Sequence, residues 1–231
     1  MKRPYVVCHM GSTIDGRIIA ERWGDNREKY GQLYEDCHNT FESQAWMVGR
    51  VTMEKDFTEG RKPDLQKPNE PISRKHYVGN TNATSFAIAV DPSGKLGWDS
   101  NEIDGDHVIE ILTESVSDEY LHHLRDKNIS YLFAGKGELD LTSALEQLHS
   151  IFKIEAVMLE GGGHINGSLL SAGLVDEVSL LVLPLVDGNT KAPTTFEIND
   201  LLTKTATSLR LMDVRKLKHD VVWLKYVVGN K

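Results

Sequence analysis

The order of hydrophobic patterns along the chain constrains its fold more than any other feature. Strand-length apolar runs alternate with helical periodicities as far as residue 172, and only strand-like runs follow. Residues 5–10 form a nearly continuous apolar run that reads as a strand. Residues 25–41 place Tyr30, Leu33, Tyr34, Cys37 and Phe41 on one helical face, with Asp25 or Asn26 as N-cap. A strand is expected at 45–48 and a short helix at 50–57. The polar, Lys- and Pro-containing stretch 58–82 is long enough to be a working loop.

Strands are then expected at 86–90, 108–112, 129–134 and 154–159, and helices at 117–127 (N-cap Ser117), 140–152 and 165–172, the last ended by Gly173 at C′. The tail offers strands at 178–183, 205–214 and 221–228. This pattern predicts an α/β fold with a mixed sheet: a parallel body, an antiparallel C-terminal edge and helices on both faces. No repeat, low-complexity segment or composition shift marks a boundary, so residues 1–231 read as a single domain.

Composition narrows the function classes. The net charge is −8, from 26 basic and 34 acidic residues, without a basic stripe, which argues against nucleic acid as partner. No apolar run reaches membrane-spanning length, and the N-terminus does not read as a signal peptide. Cys8 and Cys37 both fall on apolar patterns, as buried thiols in a reducing, cytoplasmic compartment would. The nine histidines show no H-x-x-x-H pairing beside a carboxylate and no C-x-x-C exists, so no metal site is expected. His122 and His123 read as solvated.

Three strings could carry chemistry. In Leu159-Glu160-Gly161-Gly162-Gly163-His164-Ile165-Asn166-Gly167, a buried strand runs through three glycines into a helix. Adjacent glycines cost backbone entropy, so the turn needs positive φ or close backbone approach. A helix N-terminus so placed suits a phosphate or pyrophosphate; the alternative is a tight connection without a ligand. In Val48-Gly49-Arg50-Val51-Thr52, an arginine stands at a helix start, where the dipole disfavours a cation unless an anion also binds. The alternative is an exposed surface arginine. In Thr13-Ile14-Asp15-Gly16, the Asp-Gly pair reads first as a turn. Neither a nucleophile elbow nor an activated Cys–His pair is present, so covalent catalysis is not supported.

Taken in this order and spacing, the strings resemble the reductase family that includes the C-terminal half of the bacterial riboflavin deaminase-reductase, RibD, with its dihydrofolate-reductase-like fold. The resemblance spans about residues 4–228. Its strongest marker is Glu160-Gly161-Gly162-Gly163 followed by Gly167-Ser168-Leu169-Leu170-Ser171-Ala172-Gly173-Leu174.

The resemblance implies an NADPH-dependent reductase that transfers hydride directly to a small heterocyclic or ribosylamino substrate. The first expectation is 5-amino-6-(5-phosphoribosylamino)uracil in riboflavin biosynthesis. The alternatives are a reductase of the same fold with an unrelated carbonyl or pterin-like substrate, and a non-catalytic NADPH-binding module. On the resemblance, Gly161, Gly162, Gly163, His164, Ile165, Asn166 and Gly167 hold the pyrophosphate. Gly49, Arg50 and Thr52 border the cofactor, with Arg50 toward its 2′-phosphate, while Trp23 lies beside the nicotinamide and Gly11 approaches the cofactor from the first strand. Asp56 and Glu160 are the expected catalytic residues, and a homodimer is the expected assembly. The family's substrate-phosphate arginine is replaced: ungapped counting puts Thr40 there, leaving Arg27, Arg61 or Lys62 as substitutes, or a substrate without a phosphate.

Overall fold

Residues 2–198 and 206–229 are described by the computed structural model. In chain order the strands are β1 (Tyr5–Thr13), β2 (Ala45–Gly49), β3 (Phe86–Val90), β4 (Glu102–Ile103), β5 (Asp106–Leu112), β6 (Ser130–Phe133), β7 (Ala156–Leu159), β8 (Glu177–Leu183), β9 (Leu209–Lys216) and β10 (Val222–Val228). The helices are α1 (Arg27–His38), α2 (Arg50–Asp56), α3 (Asp118–Asp126), α4 (Leu141–Phe152) and α5 (Gly163–Ser171). The fold is mixed α/β, with parallel pairing in its body and antiparallel edges, as the pattern predicts. Contacts divide the chain into two units: residues 2–4 with Gln44–Val157, and Tyr5–Ser43 with residues from 158 onward.

In the first unit β2, β3, β5 and β6 pair in parallel, and the two-residue β4 runs antiparallel to β5. Every residue of β3 is buried, as befits a strand covered on both faces. Local chemistry sets the helix ends. The Ser117 side chain accepts from Tyr120 N, and Asp140 from Ser143 N, so each satisfies a first-turn N–H. Expected to be solvated, His123 is instead buried, because the Trp98 backbone N–H donates to its Nε2.

Residues 57–85 contain no helix or strand, yet the second half is tied down. Arg74 donates to the carbonyls of Ile72, Glu114 and Val116 and pairs with Asp118. Tyr77 exchanges both backbone hydrogen bonds with Tyr131.

This unit also encloses a polar cluster. Trp98 Nε1 donates to Glu110 Oε1 (2.5 Å), and the Tyr120 hydroxyl lies 2.8 and 2.9 Å from the two Glu110 oxygens. Asp91 accepts from Lys95 N and Leu96 N, and its Oδ1 has no hydrogen-bond partner among the described residues. Asp91 and Glu110 are both 0 % exposed. Burial, and then the Asp91 charge, push the Glu110 carboxyl well above the usual carboxylate range.

In the second unit β1 pairs in parallel with β8, and β10 runs antiparallel between β8 and β9. From α1, Tyr30, Leu33 and Cys37 pack on Leu181, Leu183, Val221 and Trp223. Pattern reading missed the 3-10 turn Ala20–Asn26, which leads into α1. The expected strand at 205–214 is β9; residue 205 lies outside the described residues. Its exposed side chains Leu209, Leu211 and Val214 stand opposite Val228, Tyr226 and Leu224 on one sheet face.

Candidate active site

In the second unit the glycine string does what its composition demands, but its glycines divide the work. Gly161 has φ 104°, a conformation that side-chain-bearing residues rarely adopt. Gly162 is the N-cap of α5 and supplies no side-chain cap, so the first-turn N–H groups lack that acceptor. Gly163 and Gly167 are required by the protein's own backbone. A Cβ on Gly163 would fall 2.3 Å from the Thr194 carbonyl oxygen, and one on Gly167 2.1 Å from that of Glu197.

The seat is sealed by Glu197 N donating to Gly163 O (2.9 Å) and by buried Asn166 donating to Thr195 O (2.9 Å). The Glu197 carboxylate accepts from Thr194 N and Oγ1, which holds it below its ordinary range. His164 is exposed and Ile165 half-buried at the start of the helix.

Glu160 precedes this loop, and its Oε1 lies 2.7 Å from His38 Nδ1, in the last turn of α1. A carboxylate only accepts, so His38 Nδ1 carries the hydrogen. Next to this pair lies a second histidine whose tautomer is fixed by its partners. His9 Nε2 faces the Tyr34 carbonyl oxygen (3.1 Å) and must donate to it, leaving Nδ1 to accept from the Ser179 hydroxyl (2.9 Å). That hydroxyl in turn accepts from Trp223 Nε1 (2.8 Å), and the Tyr34 hydroxyl donates back to His9 O (2.9 Å). Burial lowers the His9 pKa to about 4, so its ring is neutral at pH 7. Burial, and then the Glu160 charge, push the Tyr34 hydroxyl and the Cys8 thiol up.

Gly11 is buried in β1 beneath Trp23: a Cβ there would meet the tip of the indole at 3.4 Å. Trp23 Nε1 is buried without a hydrogen-bond partner among the described residues. Trp23 also lines an open hollow of about 560 Å³ with Gly24, Arg27 and Gly31. Asp15 takes the turn role: it accepts from the Thr13 hydroxyl, Asp187 N and Gly188 N, which hold its carboxyl well below the usual range. The Thr40 hydroxyl donates to Cys37 O.

In the first unit Gly49 is the N-cap of α2, with ordinary extended φ −76° and ψ 161°. Arg50 is not a free surface cation. Its Nη1 lies 2.6 Å from Glu54 Oε2, and Lys62 Nζ lies 2.5 Å from Glu54 Oε1, so two cations share one carboxylate. The two cations hold the Glu54 carboxyl below its ordinary range, the Lys62 hydrogen bond first. Thr52 is half-buried, and Asp56 is exposed at the opposite end of α2 from Arg50. Arg61, another suggested phosphate contact, pairs with Asp99.

The string order and the strand–glycine–helix geometry agree with a sequence match to the RibD C-terminal domain over residues 4–223. The chain belongs to that family. A 2,5-diamino-6-ribosylamino-4(3H)-pyrimidinone 5′-phosphate reductase from Methanothermobacter thermautotrophicus is 28 % identical over 210 residues, 90 % of each chain. The relative of the same name from Archaeoglobus fulgidus is 24 % identical over 87 % of this chain and 90 % of its own. Among solved structures, a pyrimidine reductase-like protein from Corynebacterium diphtheriae superposes with a TM-score of 0.69 at 18 % identity, covering 99 % of this chain and 93 % of its own.

The expectation from sequence missed His9, Tyr34, His38 and Ser179. One signal was present: a histidine within an otherwise apolar strand requires buried partners. Among the described residues, no helix is long and apolar enough to cross a membrane, and no group of three or more His, Cys, Asp or Glu residues could hold a metal.

Proposed function

We propose that the protein is an NADPH-dependent reductase of a ribosylaminopyrimidine 5′-phosphate in riboflavin biosynthesis, with residues 1–231 acting as one domain. The observation that carries this reading is the family match over nearly the whole chain, with a glycine-capped helix N-terminus at its strongest marker. The first substrate to test is 2,5-diamino-6-ribosylamino-4(3H)-pyrimidinone 5′-phosphate, because relatives matched over 90 % and 87 % of this chain carry its name. The second is 5-amino-6-(5-phosphoribosylamino)uracil, expected from the resemblance.

The residues present fit a nicotinamide dinucleotide. In the second unit the α5 N-terminus offers N–H groups to a pyrophosphate, from Gly161 through Ile165. Gly163, Asn166 and Gly167 brace that helix from behind on 194–197. The orphan Trp23 Nε1–H offers a donor to a carboxamide, with Gly11 keeping β1 flat beneath the ring. In the first unit, Gly49, Arg50 and Thr52 are assigned to the cofactor, Arg50 to the 2′-phosphate; this requires Arg50 to exchange Glu54 for the phosphate. When bound, the cofactor supplies the hydride, and the protein supplies distance, orientation and electrostatics. Glu160 orients the substrate and hands a proton to its heteroatom, and Asp56 is assigned a substrate contact.

Calorimetric titration with NADPH and NADH tests the reading. Tight NADPH binding and weak NADH binding are expected, and Arg50→Ala should weaken NADPH about 10-fold or more while leaving NADH unchanged. Binding of neither nucleotide would sink the reductase reading. Equal loss of both in Arg50→Ala would remove the arginine from the 2′-phosphate.

A homodimer is part of the proposal. Leu209, Leu211 and Val214 are 40 %, 50 % and 56 % exposed on an edge strand, a face that a second copy would cover. Sedimentation should give a dimer, and Leu211→Lys should shift it toward monomer. A monomer at micromolar concentration would discard this part.

A further inference from the structure

We propose that His38 is the positioning residue for Glu160 and the source from which its proton is renewed. The inference rests on the reading above, in which Glu160 meets the substrate, but its evidence is the pair itself. Glu160 leaves β7 at the mouth of the glycine loop, where a mobile carboxylate would have several rotamers. The 2.7 Å bond from His38 Nδ1 selects one. Both side chains are only partly screened, 20 % exposed for His38 and 16 % for Glu160, so the pair reaches solvent while its back is closed.

The closure is specific. His9 lies behind the pair, its ring centroid 6.2 Å from that of His38, and its Nε2 and Nδ1 are both committed, to Tyr34 O and Ser179. A neutral, doubly bonded His9 cannot serve as the proton donor. The groups facing Glu160 are Cys8 and His9 from β1, and Tyr34, Glu35 and His38 from α1. Of these, Glu35 is an acid that repels the carboxylate, and the Cys8 thiol and Tyr34 hydroxyl keep their protons because burial raises both. Among these groups, His38 combines a donated 2.7 Å hydrogen bond to the carboxylate with access to water.

The proton balance is then complete. Reduction of a C=N or C=O bond takes a hydride, with its electron pair, at carbon from the nicotinamide cofactor and a proton at the heteroatom. The proton starts on His38 Nδ1 and passes to the Glu160 carboxylate across their hydrogen bond; the carboxyl so formed gives a proton to the heteroatom and returns to carboxylate, and water reprotonates His38.

The test uses the full chain and two readouts. In protein carrying ¹⁵N-histidine, a low-field imidazole N–H resonance from His38 is expected, moving upfield in Glu160→Gln. Its absence from the unmodified protein overturns the pair. In turnover, His38→Leu should lower kcat about 100-fold, the lower end of what a positioned proton donor contributes, with substrate KM and cofactor affinity nearly unchanged. His38→Gln keeps an N–H donor without a titrating group. It should restore the positioning but not the proton supply, giving a kcat between those of His38→Leu and the parent and a pH profile different from the parent's. Wild-type kcat and pH profile in both variants would overturn the role and leave the reductase reading intact. Failure of the unmodified protein to bind any nicotinamide nucleotide would overturn both.

Discussion

The two units each bury a polar cluster, and the clusters are built to opposite plans. In the first unit Asp91, Trp98, Glu110 and Tyr120 form a closed group, with both acids fully out of contact with water. In the second, the chain of bonds from Trp223 through Ser179 to His9 lies beside the half-open Glu160–His38 pair. The closed group ties the segment after β3 to β5 and α3, with its side chains buried. The open group ends at two side chains that remain partly exposed. Burial of charge alone therefore does not mark a site, and the proposed role of Glu160 rests on the accessible end of its cluster.

The two plans also carry opposite pH signatures, and three experiments can break or sharpen the contrast. The largest expected effect is on the platform of the open cluster. Gly167→Ala drives a Cβ into the Glu197 backbone and disturbs the bonds that seat 194–197, at a cost of about 4 kcal/mol in denaturant unfolding. An unchanged midpoint would mean that α5 and 194–197 do not depend on each other.

Next comes His9. Its folded pKa, about 4, lies below the ordinary 6.5, so the unfolded chain binds more protons between those values. Stability from this group is complete above about pH 6.5 and is lost as pH falls toward 4, by about 3 kcal/mol. His9→Gln should flatten that acid slope. An identical slope would place its origin elsewhere.

The last experiment concerns Glu110, where burial and the Asp91 charge raise the carboxyl while the Trp98 and Tyr120 hydrogen bonds oppose them. Its carboxyl is raised, so its contribution is complete below the ordinary 4.5 and is lost as pH rises through the elevated value. Glu110→Gln should therefore compare better with the parent at pH 8 than at pH 5 in thermal unfolding. The reverse order would mean that Glu110 stays ionised in the folded protein.

What the sequence made legible was local. Ser117 caps its helix as read, because a short side chain before an apolar stripe has only one good use, whereas Asp140, read as the first helical residue, is the N-cap of α4. Gly173 follows α5 with φ 71°, as a C′ glycine should. The glycine string was readable as a special turn, yet the partner that demands Gly163 and Gly167 lies some thirty residues further on, at 194–197, and no local pattern names it. The Glu160–His38 pair joins residues 122 positions apart. His123 was misread because helix position alone does not reveal that Trp98 N needs an acceptor. Tertiary hydrogen bonds, rather than propensities, are what the string of letters withheld.

The seat between α5 and the later chain has a bearing on protein engineering. Residues 163, 166 and 167 and the segment 194–197 meet backbone to backbone, so neither side can be varied alone. A loop library or a chimera with another member of the family should exchange them as one block, with the crossover points placed outside both. A graft that carries the glycine string without its distant counterpart would bring the turn and leave behind the floor that shapes it.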